Sequence, residues 1–325
     1  MSAEEHLLLS GGRVWPESNC YVDLWISALH ALRLDPVPML LCTISPQFEV
    51  DQWTFCKPTA GEIAVLYGIR VEELNIWRAV REQVESQVQA GRLVLLEVDA
   101  YHLPDTAGVS YETAHQKTTI GIRAFDSVNG GMEYFHNKGR FILDRYHTER
   151  VFASGVTSAM LPPFAEFADL RGMETLNEGA LATRARALAS VRLRLAGRGN
   201  PFTDWAARAS AQLTDLASRD LANFHAWAFA TVRQAGSMAE LAGQWCVWMR
   251  RHAPGAEPAT WQIASDALQA LAQTLAAQQF RLARVPQGGA HDGFGSALSR
   301  CAVQWFIAAD ALRALMADRA YSPNV

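Results

Sequence analysis

The sequence predicts an α+β protein, with helices packed on an antiparallel sheet over residues 1–160 and an all-helical bundle over 175–325. Three observations lead there. A chain of 325 residues is long for one hydrophobic core, which favours two domains. Its first 150 residues mix helical apolar spacing with short β-branched runs separated by turn residues. From about residue 175 alanine, leucine and arginine dominate, and strand signals vanish.

The elements follow in order. Pro16, Ser18 and Asn19 interrupt regular structure, and from Tyr21 the apolar residues Leu24, Trp25, Leu29 and Leu32 recur at helical spacing. A helix is expected over about 20–33, capped by Ser18 or Asn19, with Cys20 in its first turn. A short apolar run, Met39 to Ile44, precedes an aromatic-rich stretch, Phe48 to Phe55. A short helix is expected from Thr59 to Tyr67–Gly68, and another from Val71 to Gln89 with Leu74, Trp77, Val80 and Val84 on one face and Gly91 as its stop. Leu93–Asp99 reads as a buried strand, followed by a loop with Pro104, Asp105 and Gly108. His115–Phe125 is the next strand, and the turn Asp126–Gly131 leads into a returning strand, Met132–Asn137. Arg140–Leu143 adds one more. In the second half, breakers at 197–201, Gly236, 254–258 and 286–289 divide the chain into five or six helices.

Bulk chemistry excludes several classes. A net charge of −4 advertises neither nucleic acid nor an anionic membrane as partner. No run approaches the roughly 20 apolar residues of a membrane span, and no segment has signal-peptide order, so a cytoplasmic location is expected. The five cysteines (Cys20, Cys42, Cys56, Cys246, Cys301) show no CxxC spacing, and the nine histidines no HExxH. Neither a metal site nor a disulfide framework is expected.

Cys20 is the residue with most chemistry in it. The helix start presents unpaired N–H groups and the positive end of the dipole, which favour a thiolate. A helix-start cysteine with a histidine opening a later strand is the papain-like arrangement of nucleophile and base. His115 is that histidine. For the residue that orients it, Asn137 competes with Asp126. Asp126 stands at the far end of the His115 strand, about 33 Å away if extended, so Asn137 is preferred. His136 points to the face opposite Asn137 and is a weaker second base. The oxyanion would be met by the Cys20 N–H, with Asn19 or Gln52 as the side-chain donor. A papain-like enzyme has glutamine six residues before its cysteine, and here Val14 occupies that place.

The segments WPESNCYVDLWISALHALRLDPVPML, DQWTF, GIRVEELNIWR, GRLVLLEVDAYHLPDTAGVSY and YFHNKGR, with NPFTDWAARASAQL and FHAWAFATVRQ further on, resemble a bacterial domain family of unknown function. The resemblance covers nearly the whole chain. It implies a context of amino-acid:carrier-protein ligases and small carrier proteins. More distantly, the order of helix-start Cys, strand ending in VDAYHLPD, strand-opening His and closing Asn is similar to the butirosin-biosynthesis acyltransferase family. That family is papain-like at its N-terminus and helical at its C-terminus, and usually has Asp where this chain has Asn137.

The resemblance implies an aminoacyl transfer from a carrier-protein phosphopantetheine thioester to an amine or hydroxyl. Cys20 would be nucleophile, His115 base, and Asn137 its orienting partner, with Asp99 and Tyr101 near the mouth of the site. Trp53 and Phe55 are candidates to line a channel for the phosphopantetheine arm, which the partner supplies, and no cofactor of the enzyme's own is implied. Asp99 or Asp105 is a candidate to meet the donor's ammonium, or simply to cap the loop. Carrier proteins are usually acidic, so the arginines at 184, 186, 192, 194 and 198 are the candidate docking face, or else simply a solvated helix face. The rival readings are a thioesterase or peptidase with the same residues, and a carrier-binding scaffold without catalysis.

Overall fold

The computed structural model describes residues 6–153, 162–253, 255, 257–284 and 293–317. They form an α+β arrangement with a six-stranded antiparallel sheet and a helical C-terminal region. The chain divides into two compact units, one built of Met1–Gly11, Asn19–Pro36 and Thr59–Thr175, the other of Gly12–Ser18, Val37–Pro58 and Leu176–Val325. Two segments expected in the first domain, 12–18 and 37–58, thus belong to the helical unit.

In the first unit, α1 (Cys20–Ala31) begins where Asn19 turns extended and its side-chain oxygen accepts the Val22 N–H. The sheet order is β3-β8-β4-β5-β6-β7, with β3 Arg70–Glu73, β4 Arg92–Asp99, β5 Lys117–Phe125, β6 Met132–His136, β7 Gly139–Leu143 and β8 Ala165–Asp169. Strand alternation sorts its side chains onto two faces. Thr119 and Gly121 share a face with their partners Glu97 and Leu95, and α1 lies there. A Cβ added at Gly121 would already touch Leu24 of α1 at 3.4 Å, so glycine permits the close approach. Ile120, Ile122 and Tyr134 face the other way, into a core with Val80 and Val84 of α3 (Val80–Gln89) and Val151 of α4 (Arg145–Ala153).

One predicted helix is half strand. Residues 70–73 pair with β8, Arg70 opposite Asp169 and Glu73 opposite Glu166, and the helix starts only at Val80. Trp77 is exposed rather than on its buried stripe. The helical spacing of Leu74, Val80 and Val84 was real as burial, but long-range pairing decided the backbone of the first turn. The short helix α2 (Ala60–Tyr67) has a capping box between Thr59 and Glu62 and ends at Gly68 with φ 69°.

Asp169 ties the end of this sheet. It accepts from Arg171 through Nε at 2.8 Å and Nη2 at 2.5 Å, and has Arg70 at 3.4 Å and Arg92 at 3.8 Å. The Arg171 hydrogen bonds overcome the opposing effect of burial and hold its carboxyl far below the usual range. A depressed folded pKa gives stability that is present above the unfolded value and lost as pH falls through the folded one. Asp169→Asn is therefore expected to destabilise at pH 7, with the gap from wild type narrowing below about pH 3.8. Urea melts at pH 7 and pH 3 check this, and an equal gap at both would refute it.

In the second unit, α5 (Glu178–Leu195), α6 (Pro201–Ala217), α7 (Leu221–Ala228), α8 (Gln234–His252), α9 (Pro258–Leu282) and α10 (Phe294–Ala317) are helical, with a π-helical turn at Phe229–Arg233 between α7 and α8. Gly236 lies inside α8 instead of breaking it. Its missing side chain leaves room for the Trp15 indole, which an added Cβ would meet at 2.3 Å. Buried Glu240 accepts the backbone N–H groups of Val14 and Trp15 at 2.7 and 2.9 Å, which pins 12–18 to this unit. Residues 39–43 form part of a 3₁₀ helix, Val37–Thr43, with Ile44 just beyond it, and the aromatic stretch is a small hairpin of β1 (Phe48–Glu49) and β2 (Gln52–Trp53). The expected breaker at 286–289 lies outside the described residues. Among the described residues, no helix is long and apolar enough to cross a membrane.

Candidate functional site

Cys20 is the first residue of α1, half-buried, and its thiol donates to Thr119 Oγ1 at 3.8 Å. Its backbone N–H, at the helix start, has no acceptor within the helix. Asn19 caps the helix, its Oδ1 accepting the Val22 N–H at 2.9 Å.

His115 lies two residues before β5 and is 73% exposed at its side chain. Its Nδ1 is 2.6 Å from Asp99 Oδ2, and its ring stacks on Tyr101 with centroids 4.4 Å apart and planes 13° from parallel. Asp99 Oδ1 accepts the N–H groups of Tyr101 at 3.0 Å and Gln116 at 3.2 Å. Burial works to raise the Asp99 pKa, but the His115 hydrogen bond and these two backbone bonds outweigh it and hold it below the usual value. Asp99 is therefore an ionised acceptor at neutral pH, and an ionised carboxylate only accepts. Nδ1 must then carry a hydrogen, so that in the neutral ring the lone pair is on Nε2.

Asn137, expected to orient His115, does not do so. It sits in the turn between β6 and β7 with φ 45°, and its carbonyl accepts from Ser27 Oγ at 3.1 Å. Asp99 takes the place because β4 and β5 are paired with Asp99 opposite Lys117, which brings the end of one strand to the residue before the other. His136 is no second base here. It is 1% exposed, on the sheet face away from α1, with Nδ1 2.5 Å from Asp105 Oδ2 and Nε2 2.7 Å from Thr118 Oγ1. Tyr134 also donates to Asp105, so that carboxylate is spent in the core and is not offered to a ligand.

Among the described residues, no hydrogen bond joins Cys20 to His115. Asp99, opposite Lys117, shares a sheet face with Thr119 by strand alternation, and His115 is bonded to Asp99. Thr119 and His115 are four residues apart, about 13 Å of extended chain. Lys117 stands between them and pairs with Glu97 at 2.5 Å. On the other flank of Cys20, Tyr21 donates to Glu166 at 2.8 Å. His102 stacks edge-on to Tyr101 at 5.0 Å, and burial, then the nearby Arg150 and His115 charges, lower its pKa against the pull of Asp99.

Trp53 is a core residue of the helical unit, in ring contact with Phe48, Phe202 and Trp205 at 5.0 to 5.5 Å. Gln52 and Phe55 are exposed residues of the same unit. Two of the arginines expected to form a docking face are engaged with main chain. Arg186 donates to the Leu315 carbonyl, and Arg192 to those of Cys42 at 3.4 Å and Lys57 at 3.2 Å. Arg194 and Arg198 are exposed. Among the described residues, no cluster of His, Cys, Asp and Glu is arranged to hold a metal ion.

The DUF1839 N-terminal domain model matches residues 4–170, and the DUF1839 C-terminal domain model matches 178–314. The chain belongs to the DUF1839 family. A comparison with curated proteins found no match. Cys20, Asp99, His115 and Thr119 all fall within the DUF1839 N-terminal match, and so do segments 12–18 and 37–58, which pack with the helical unit.

Proposed function

We propose that this DUF1839 protein is a cysteine-dependent acyltransferase whose first unit is papain-like. It takes an aminoacyl group from a phosphopantetheine thioester on a carrier protein and passes it to an amine or hydroxyl. The observation that carries the reading is the Asp99–His115 pair, with its Nε2 left basic, on the same sheet face as a helix-start thiol.

In this mechanism Nε2 removes the Cys20 proton, and the resulting imidazolium is stabilised by ionised Asp99. The thiolate attacks the thioester carbonyl, and the Cys20 N–H meets the developing oxyanion. The phosphopantetheine thiol leaves with the proton from His115, and the acceptor then repeats the sequence on the acyl-enzyme. Proton transfer needs the imidazole within about 3.2 Å of the sulfur, so donor binding must draw the His115 loop toward Cys20 and replace the Thr119 contact.

Mixing the protein with an aminoacyl carrier protein tests this by intact mass. An acyl adduct on the wild type that is absent from Cys20→Ala supports the transferase. Rapid release of free amino acid instead supports the thioesterase. A second reading rests on the thiol's bond to Thr119 rather than to an imidazole: a carrier-binding scaffold without catalysis. Its mark is intact carrier binding with no adduct and no release. Docking, in either reading, falls to Arg194 and Arg198.

A further inference from the structure

Two other thiols are brought together in the helical unit. Cys56 Sγ is 3.9 Å from Cys42 Sγ and 3.6 Å from the Cys42 carbonyl oxygen, close enough for its S–H to point at either. Cys42 lies in the 3₁₀ helix Val37–Thr43, and Cys56 follows β2. Arg192 clamps both ends of the intervening segment, donating to the carbonyls of Cys42 and Lys57. The approach of the sulfurs is thus fixed by a link independent of them. Residues Ile44 to Glu49 of that segment line a cavity of about 160 Å³ with Leu193, Trp305 and Arg313.

We propose that Cys42 and Cys56 are an oxidisable pair, which a peroxide joins in a reversible disulfide that locks the 42–56 hairpin segment on its unit. A disulfide needs sulfurs about 2.0 Å apart, so oxidation has to close about 2 Å between them. Cys56 is 7% exposed and Cys42 3%, which makes Cys56 the first target. Peroxide transfers one oxygen to the Cys56 sulfur, giving a sulfenic acid and one water. The Cys42 sulfur then displaces the sulfenic hydroxyl, which leaves as water with the Cys42 proton. Overall two thiols lose two protons and two electrons, and one peroxide becomes two waters. The remaining buried thiols are poor competitors, since burial pushes Cys301 up to about 12 and Cys246 higher still.

The test treats the full-length Cys20→Ser protein with hydrogen peroxide, followed by intact mass and peptide mapping without reduction. The expected result is loss of two hydrogens and one linked peptide pair containing Cys42 and Cys56, reversed by dithiothreitol. The unfolding midpoint of the oxidised protein is expected to rise, because the bridge constrains the unfolded chain. Cys56→Ser in the same background is expected to remove the linkage and leave Cys42 a thiol. Cys42 and Cys56 persisting as thiols, gathering oxygen adducts, or linking to another cysteine or another chain would each overturn the proposal.

Discussion

Asp105→Ala is expected to cost the first unit about 2–6 kcal/mol of stability, since it leaves two buried hydrogen-bond donors without an acceptor at about 1–3 kcal/mol each. Asp105 and His136 are 5% and 1% exposed at their side chains. The imidazole is held at Nδ1 by Asp105 and at Nε2 by Thr118, and the second carboxylate oxygen accepts from Tyr134. Burial first, then the charge on Asp105, pushes the Tyr134 phenol far above its ordinary value, so it stays a donor at any working pH. Without the carboxylate, the ring nitrogen and the phenol are left among Leu103, Ile120, Ile122 and Met132 with nothing to accept from them.

Urea unfolding measures the loss, and a cost below about 1 kcal/mol would show that the network is not holding the fold. The same change bears on the site through the chain. Asp105 lies in the 3₁₀ turn Pro104–Thr106, whose Thr106 hydroxyl bonds the Ala100 and Leu103 carbonyls. Tyr101 and His115 are carried on that loop. Hydrogen exchange across 100–116 should accordingly quicken in the variant, while α1 stays protected.

What the sequence disclosed, and what it hid, divides by range of interaction. The start of α1 was legible because Ser18–Asn19–Cys20 runs from turn residues into helical spacing, all within a few residues, and the Asn19 cap is equally local. Strands β4, β5 and β6 were legible from β-branched runs and the Asn–Gly turn between the last two. Strands β3 and β8 were not, because each is short and set by distant pairing, β3 on β8 with Arg70 opposite Asp169, and β8 also on β4 with Arg92 opposite Asp169.

The orienting residue was hidden for a related reason. Asp99 and His115 are 16 residues apart, and only the register of β4 on β5 makes them neighbours. Folding 93–99 against 117–122 as a paired hairpin would have found that partner. Asn137 was preferred on the assumption that its strand ran on past His136, but the chain turns there at positive φ. Gly236 misled in the opposite direction: a local breaker was overruled by an indole packed against it.

Asp99→Asn is expected to slow acylation of Cys20 by on the order of 10²–10⁴, with carrier-protein binding unchanged. The substitution is nearly isosteric, so its effect is on the proton rather than on the shape. An ionised carboxylate accepts only, which forces the hydrogen onto Nδ1 and leaves Nε2 basic. An amide offers either an oxygen or an NH₂ group, and with the NH₂ toward the ring the hydrogen moves to Nε2 and the base is lost. The amide also fails to stabilise the imidazolium that forms as Cys20 gives up its proton.

The pH dependence carries a sign. Because the His115 and backbone hydrogen bonds depress the Asp99 pKa against burial, wild type keeps its carboxylate ionised to lower pH than an isolated aspartate would. The pair's contribution to stability is present above the unfolded value and lost as pH falls through the folded one. Single-turnover acylation followed by intact mass reads the rate, and ring ¹⁵N shifts of His115 read the tautomer without any reaction. Asn137→Gly, which keeps the positive φ and removes only the side chain, is the contrast, with a rate near wild type. If Asn137→Gly were the slow variant and Asp99→Asn the fast one, the base would be oriented from the turn after all, and the Asp99 contact would serve only to fasten the loop.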